Sequence, residues 1–183
     1  ETVKQIDEMP QDSPLLTGVP QDDKAKVMEL YKERAHEARG LALLRRGQVE
    51  AAASELSRAL KRVIDEVEKN GYMLWKDSDL RQLDVRPRVL WLAELYEAQR
   101  DFNRAVKYLL AGIGDNELAN GFIRQRLPID YQQLGRQDAE ADLEAAQARY
   151  RSLMDASAVS SDEANKKYLA KRVGTPAPEF KAL

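Results

Sequence analysis

Two stretches decide how this chain folds: RGLALLRRGQVEAAASELSRAL, Arg39–Leu60, and LAELYEAQRDFNRAVKYLLAGI, Leu92–Ile113. Laid over one another they repeat a pattern of small and large residues. Gly40 falls on Ala93, Leu43 on Tyr96, Val49 on Phe102, Ala52 on Ala105, Leu56 on Leu109 and Ala59 on Gly112. A weaker third copy, IDYQQLGRQDAEADLEAA, places Tyr131 and Gly135 on the first helix and its turn. Ala139, Leu143 and Ala146 fall on the second helix after deletion of one residue. Small residues at such places have a physical cause. Where two helices cross closely, a large side chain pushes the axes beyond the usual ~8–10 Å, and a large residue one turn away fills the groove. The expectation is antiparallel helix pairs.

Working outward, apolar residues recur at three and four from about Asp23 to Arg46, through Val27, Tyr31, Ala35 and Ala38. Val49, Ala52, Leu56, Leu60, Val63 and Val67 form one stripe that reads as a single helix stopped by Asn70-Gly71. Tyr72 to Val85 is irregular, and Pro87 suits the first turn of the next helix. Further helices are expected from Phe102 to Ile113 and from Glu117 to Leu134, the latter kinked or split at Pro128, and from Ala139 to Met154. Ser160-x-x-Glu163 reads as a capping box opening a separate short helix to about Arg172. No alternating strand pattern of useful length is present, so the fold class is all-α. The domain reading is an extended arm over 1–22, a helical domain over 23–172 and a terminal segment over 173–183.

Composition excludes several functions. The 183 residues suit one domain, and 33% charged residues match helices with long solvated faces. A net charge of −2 supplies no field for nucleic acid or anionic membranes. Without cysteine there are no disulfides, thiolate metal sites or cysteine nucleophiles. No apolar run approaches the ~18 residues of a membrane span. His36 is the only histidine and reads as a surface or inter-helix residue beside Glu33 and Glu37. Arg45-Arg46 and Lys61-Arg62 stand beside carboxylates and read as solvated faces. GIGDN lacks the Lys-Ser/Thr ending of a phosphate loop. No catalytic residue, metal or cofactor is therefore expected.

The small–large spacing resembles the tetratricopeptide repeat (TPR), a 34-residue helix–turn–helix, over about Lys32 to Tyr150. Ala105 and Ala139 are 34 residues apart; Ala52 and Ala105 are 53 apart, so about 19 residues are inserted. The resemblance implies a right-handed superhelix of about three pairs plus a terminal helix, with a concave face that binds a protein or peptide. The Lys and Asn clamp that some such repeats use for a terminal carboxylate is missing. Its positions hold Glu37, Leu41 and Arg45 in the first copy and Leu90, Glu94 and Ala98 in the second. The implied groove is mixed: Arg34, Leu41, Leu44 and Arg45 on the first helix, Leu90, Glu94 and Glu97 on the second, and Phe122, Gln125 and Gln132 on the third. Tyr72, Trp75, Trp91 and Tyr96 are expected to pack the irregular segment against the repeats, with a docking patch as the alternative.

VGTPAPEFKAL, Val173–Leu183, resembles the entry to thioredoxin-like domains of the peroxiredoxin and membrane-associated thiol–disulfide reductase type, through Gly174, Pro176, Ala177, Pro178, Glu179 and Phe180. With Glu1 in place of Met, this reads as a fragment whose redox cysteines lie downstream. That class implies the periplasm or cell envelope. The expected function is a non-catalytic interaction scaffold for a redox domain. Alternatives are a helical substrate pocket of a thiol–disulfide oxidoreductase and a self-association domain forming a homodimer.

Overall fold

The computed structural model describes residues 16–71, 85–114 and 117–173. Among these it is all-helical. The elements are α1 (Gln21–Arg45), α2 (Val49–Ala59), α3 (Lys61–Asn70), α4 (Val85–Ala98), α5 (Phe102–Ala111), α6 (Glu117–Gln133) and α7 (Ala139–Val173). Helices α1 and α2 form one packed pair, α4 and α5 a second, and α6 meets both α5 and α7. The first pair joins the second where α2 touches α4.

The small residues sit at the crossings. Ala52, Ala93 and Ala105 are fully buried. A Cβ on Gly40 would lie 2.6 Å from Leu56 Cγ and 2.8 Å from its Cδ2, so hydrogen is the only substituent that fits between α1 and α2. Leu56 is itself fully buried and has nowhere to swing. One continuous core then runs from Leu56 and Val67 through Val89, Leu92 and Leu109 to Ile123, Leu127 and Tyr131.

The three turns within the pairs share one backbone solution. The second residue after the helix takes a left-handed conformation: Gly47 (φ 73°), Arg100 (φ 61°) and Gly135 (φ 69°). The next amide reaches back five residues in each, Gln48 N to Leu43 O, Asp101 N to Tyr96 O and Arg136 N to Tyr131 O, at 2.8–3.0 Å. This is the Schellman closure, which satisfies otherwise orphaned carbonyls. At Arg100 a side chain stands where glycine is favoured, while Asp101 accepts from Arg104 N at 3.2 Å and caps α5.

Four expectations are corrected. The Val49–Val67 stripe is not one helix: it breaks at Leu60 (φ −110°, ψ 20°) into α2 and α3. Beyond the break α3 packs on α4, and its Glu68 accepts from Lys107 Nζ at 2.6 Å and Tyr108 Oη at 3.3 Å. Of the kink or split expected at Pro128, the split is absent: α6 continues through it, with the proline on the exposed face. The capping box at Ser160 starts nothing, for α7 runs unbroken to Val173. With no Pro or Gly ahead of Ser160, nothing stops the helix already under way, so the separate terminal helix is absent. Finally, the third copy is longer, not shorter. The first bond of α7 is Asp142 N to Asp138 O, matching Ala52 N to Gln48 O and Ala105 N to Asp101 O. Asp142 thus stands in the hydrogen-bond register of Ala52 and Ala105, and its carboxylate accepts from Tyr131 Oη, while the buried small residues of the helix are Ala139 and Ala146, with Leu143 packed against the core as expected. The readings of 1–15, Tyr72–Asp84 and Gly174–Leu183 lie outside the described residues.

Two opposed substitutions test the crossing. Overpacking at Gly40→Ala should cost about 1–3 kcal/mol, more than the ~1 kcal/mol that alanine gains in helix propensity. Gly121→Ala, also within a helix but with open space around the new methyl, should stabilise by up to about 1 kcal/mol. Urea melts of both variants measure the contrast. Arg100→Gly should relieve the left-handed residue and stabilise by about 0.5–1 kcal/mol, a rise of a few degrees in Tm by calorimetry.

Candidate functional site

The first helix of each pair, α1, α4 and α6, contributes to one open groove of about 580 Å³. Leu41, Leu44 and Arg45 line it from α1, Trp91, Glu94, Glu97 and Ala98 from α4, and Arg126 from α6. Spacing explains the α4 side: positions 91, 94 and 98 follow three and four apart and so share one helix face. The opposite face of α4 holds the core residues Leu92, Leu95 and Tyr96, with Tyr96 tilted against Tyr108 at a centroid distance of 5.0 Å.

Glu97 ties α4 to α6. Arg126 Nε donates to its Oε1 at 3.1 Å and Nη2 meets Oε2, a two-pronged pair with the carboxylate only 8% exposed. The Arg126 guanidinium also lies 5.8 Å from the Phe122 ring centroid. One turn further along α6, Asp130 is 2% exposed and its Oδ2 has no hydrogen-bond partner. Burial pushes its carboxyl above the ordinary value, against the opposing pull of Arg126.

A turn below Leu41 on α1, buried Glu37 joins the first pair to the second: Arg88 Nη2 approaches its Oε2 at 2.7 Å. The N–H is not directed at the oxygen, so this is a charge contact without an aligned hydrogen bond, and Arg88 Nε is also unsatisfied. His36 turns the other way. It is buried between α1 and α2, with Nδ1 2.5 Å from Glu55 Oε2, while Arg39 holds Glu55 Oε1 at 3.2 Å. It is an inter-helix residue, and its anionic partner is Glu55, not the neighbouring Glu33 or Glu37. Between α3 and α5, Lys107 holds the Glu68 carboxyl below its ordinary value.

Of the expected groove residues, the structure brings together Leu41, Leu44, Arg45, Glu94 and Glu97. Phe122 stands behind Arg126, and Leu90 points to the crossing at Gly112, 3.2 Å from where a Cβ there would be. Arg34 reaches Glu37 at 3.5 Å; Gln125 and Gln132 are exposed on α6 and do not line the groove. Sequence reasoning did not put Trp91 or Arg126 into it. The three-residue step from Trp91 to Glu94 and the four-residue step from Phe122 to Arg126 were the available signals.

Among the described residues no group of three or more His, Cys, Asp or Glu side chains is placed to hold a metal ion, and no helix is long and apolar enough to cross a membrane. No known protein family, curated protein or solved structure matches the chain.

Asp130 supplies a pH prediction. An acid with a raised folded pKa holds its proton more tightly folded than unfolded. Stability therefore falls as pH climbs from the ordinary carboxylate range through the raised value, and the penalty is complete above it. Asp130→Asn should be more stable than the parent at neutral pH, with the advantage shrinking as pH falls toward the ordinary carboxylate range. Denaturant melts at several pH values between 4 and 8 measure the difference.

Proposed function

We propose that this helical domain is a non-catalytic scaffold of TPR-like type whose concave face binds an extended protein segment. The observation that carries the reading is the groove shared by α1, α4 and α6, the first helices of three successive pairs. Its mixture of leucine, tryptophan and charged side chains suits a peptide, which brings apolar contacts and backbone polarity together. The recurrent turn at Gly47, Arg100 and Gly135 supports a repeat origin for the pairs. We infer further that the scaffold serves a thioredoxin-like redox domain in the cell envelope. That step is supported by the resemblance of Gly174 to Phe180 to the start of such domains.

A second reading, self-association, draws on α6, where Ile129 is 53% exposed and Leu118 88% exposed. Light scattering separates the two: a dimer dispersed by Ile129→Lys would favour self-association.

The peptide reading is tested with sequences selected from a random displayed library. A photo-crosslinking residue at Ala98, in the groove, should capture the selected peptides, and one at Ser54, exposed on α2, should not. Leu44→Glu should weaken them about tenfold or more. Capture at Ser54 alone, or binding untouched by Leu44→Glu, would overturn the reading.

A further inference from the structure

The groove's charges are unequally committed. Both oxygens of Glu97 are held by Arg126, which neutralises that pair. Glu94 lines the same groove, half-buried, and makes no hydrogen bond or ion pair among the described residues. A partly desolvated carboxylate without a counter-charge is unfavourable until a cation reaches it. Trp91, also half-buried and lining the groove, precedes it by three residues, so the two side chains are neighbours on one helix face. Leu41 and Leu44 on α1 supply apolar wall. Arg45, the remaining cation, is exposed. The unmet charge in the half-buried part of the groove is therefore negative, and it lies beside an indole.

We propose that the groove recognises a protein segment anchored by a lysine or arginine side chain. The aliphatic stem lies against Leu41 and Leu44, the cation stacks on Trp91 and the charged head pairs with Glu94. An indole attracts a cation through the negative face of its ring, and a neighbouring carboxylate adds a charge-assisted hydrogen bond. Leucine walls suit the methylene stems that both basic side chains carry. Arg45 disfavours a second basic residue beside the anchor and favours an acidic one. This proposal rests on the reading of the groove as a peptide site.

The test uses the full chain carrying Trp75→Phe. The sequence has two tryptophans, so Trp91 becomes the sole indole reporter. N-acetyl-lysine methylamide and N-acetyl-arginine methylamide are titrated and followed by the Trp91 indole NMR signal, beside the norleucine and glutamate analogues. The basic probes should give saturable shifts, norleucine weaker ones and glutamate none. Glu94→Gln should weaken the basic probes about tenfold, as expected for loss of a hydrogen bond to a charged group, and leave norleucine unchanged. Equal affinity for lysine and norleucine, or no effect of Glu94→Gln, would overturn the cation anchor. So would spermidine binding at Trp91 while the lysine and arginine probes are inert. Crosslinking at Ala98 and Ser54 judges the groove separately, so an apolar peptide captured at Ala98 would sink the anchor and leave the groove standing.

Discussion

The close approach of α1 and α2 at Gly40 is the constraint on which the rest depends. A hydrogen atom there lets Leu56 fill the space a methyl would take, and the fully buried Ala52 extends the contact. The fully buried Ala93 and Ala105 occupy the matching places in α4 and α5. Dense interiors tolerate little change in volume, so each crossing fixes the separation of its two helices. The groove inherits that geometry, because its walls are the outer faces of helices whose inner faces are pinned.

Polar contacts then set how successive pairs lean on one another. Glu97 with Arg126 bridges α4 and α6; Glu37 with Arg88 bridges α1 and α4. The two differ in quality. Arg126 gives Glu97 one aligned hydrogen bond, whereas Glu37 and Arg88 each keep an unsatisfied atom. Buried charges contribute little net stability, since desolvation offsets much of the attraction, whereas removing one partner alone is costly. Both bridges join helices that border the groove.

The third pair departs from the first two. Its turn carries Arg136 to Asp138 before α7 begins, and Asp142 stands at the position that is alanine in the others. Tyr131 hydrogen-bonds to Asp142 and receives the Arg136 guanidinium over its ring at 4.5 Å. This hydrogen-bonded Tyr–Asp contact accompanies the buried small residues Ala139 and Ala146. Spacing picks out the buried Ala139 and Ala146 but not the turn's extra length, because a one-residue deletion and a longer turn both leave alanines on the inner face.

The all-α class, the helix pairs and the small residues at their crossings were legible because periodicity and residue volume are local properties that a helix of fixed pitch converts directly into faces. The same logic placed Leu41, Leu44, Arg45, Glu94 and Glu97 on one surface. What the chain alone did not disclose involves contacts between residues far apart in it. Glu68 meets Lys107 and Tyr108 beyond the break at Leu60, His36 meets Glu55 across a helix crossing, and Arg126 meets Glu97 at the groove. Local sequence sets which face a side chain occupies; only packing between helices decides what that face meets, because the meeting is made by residues whose separation along the chain carries no periodic signal.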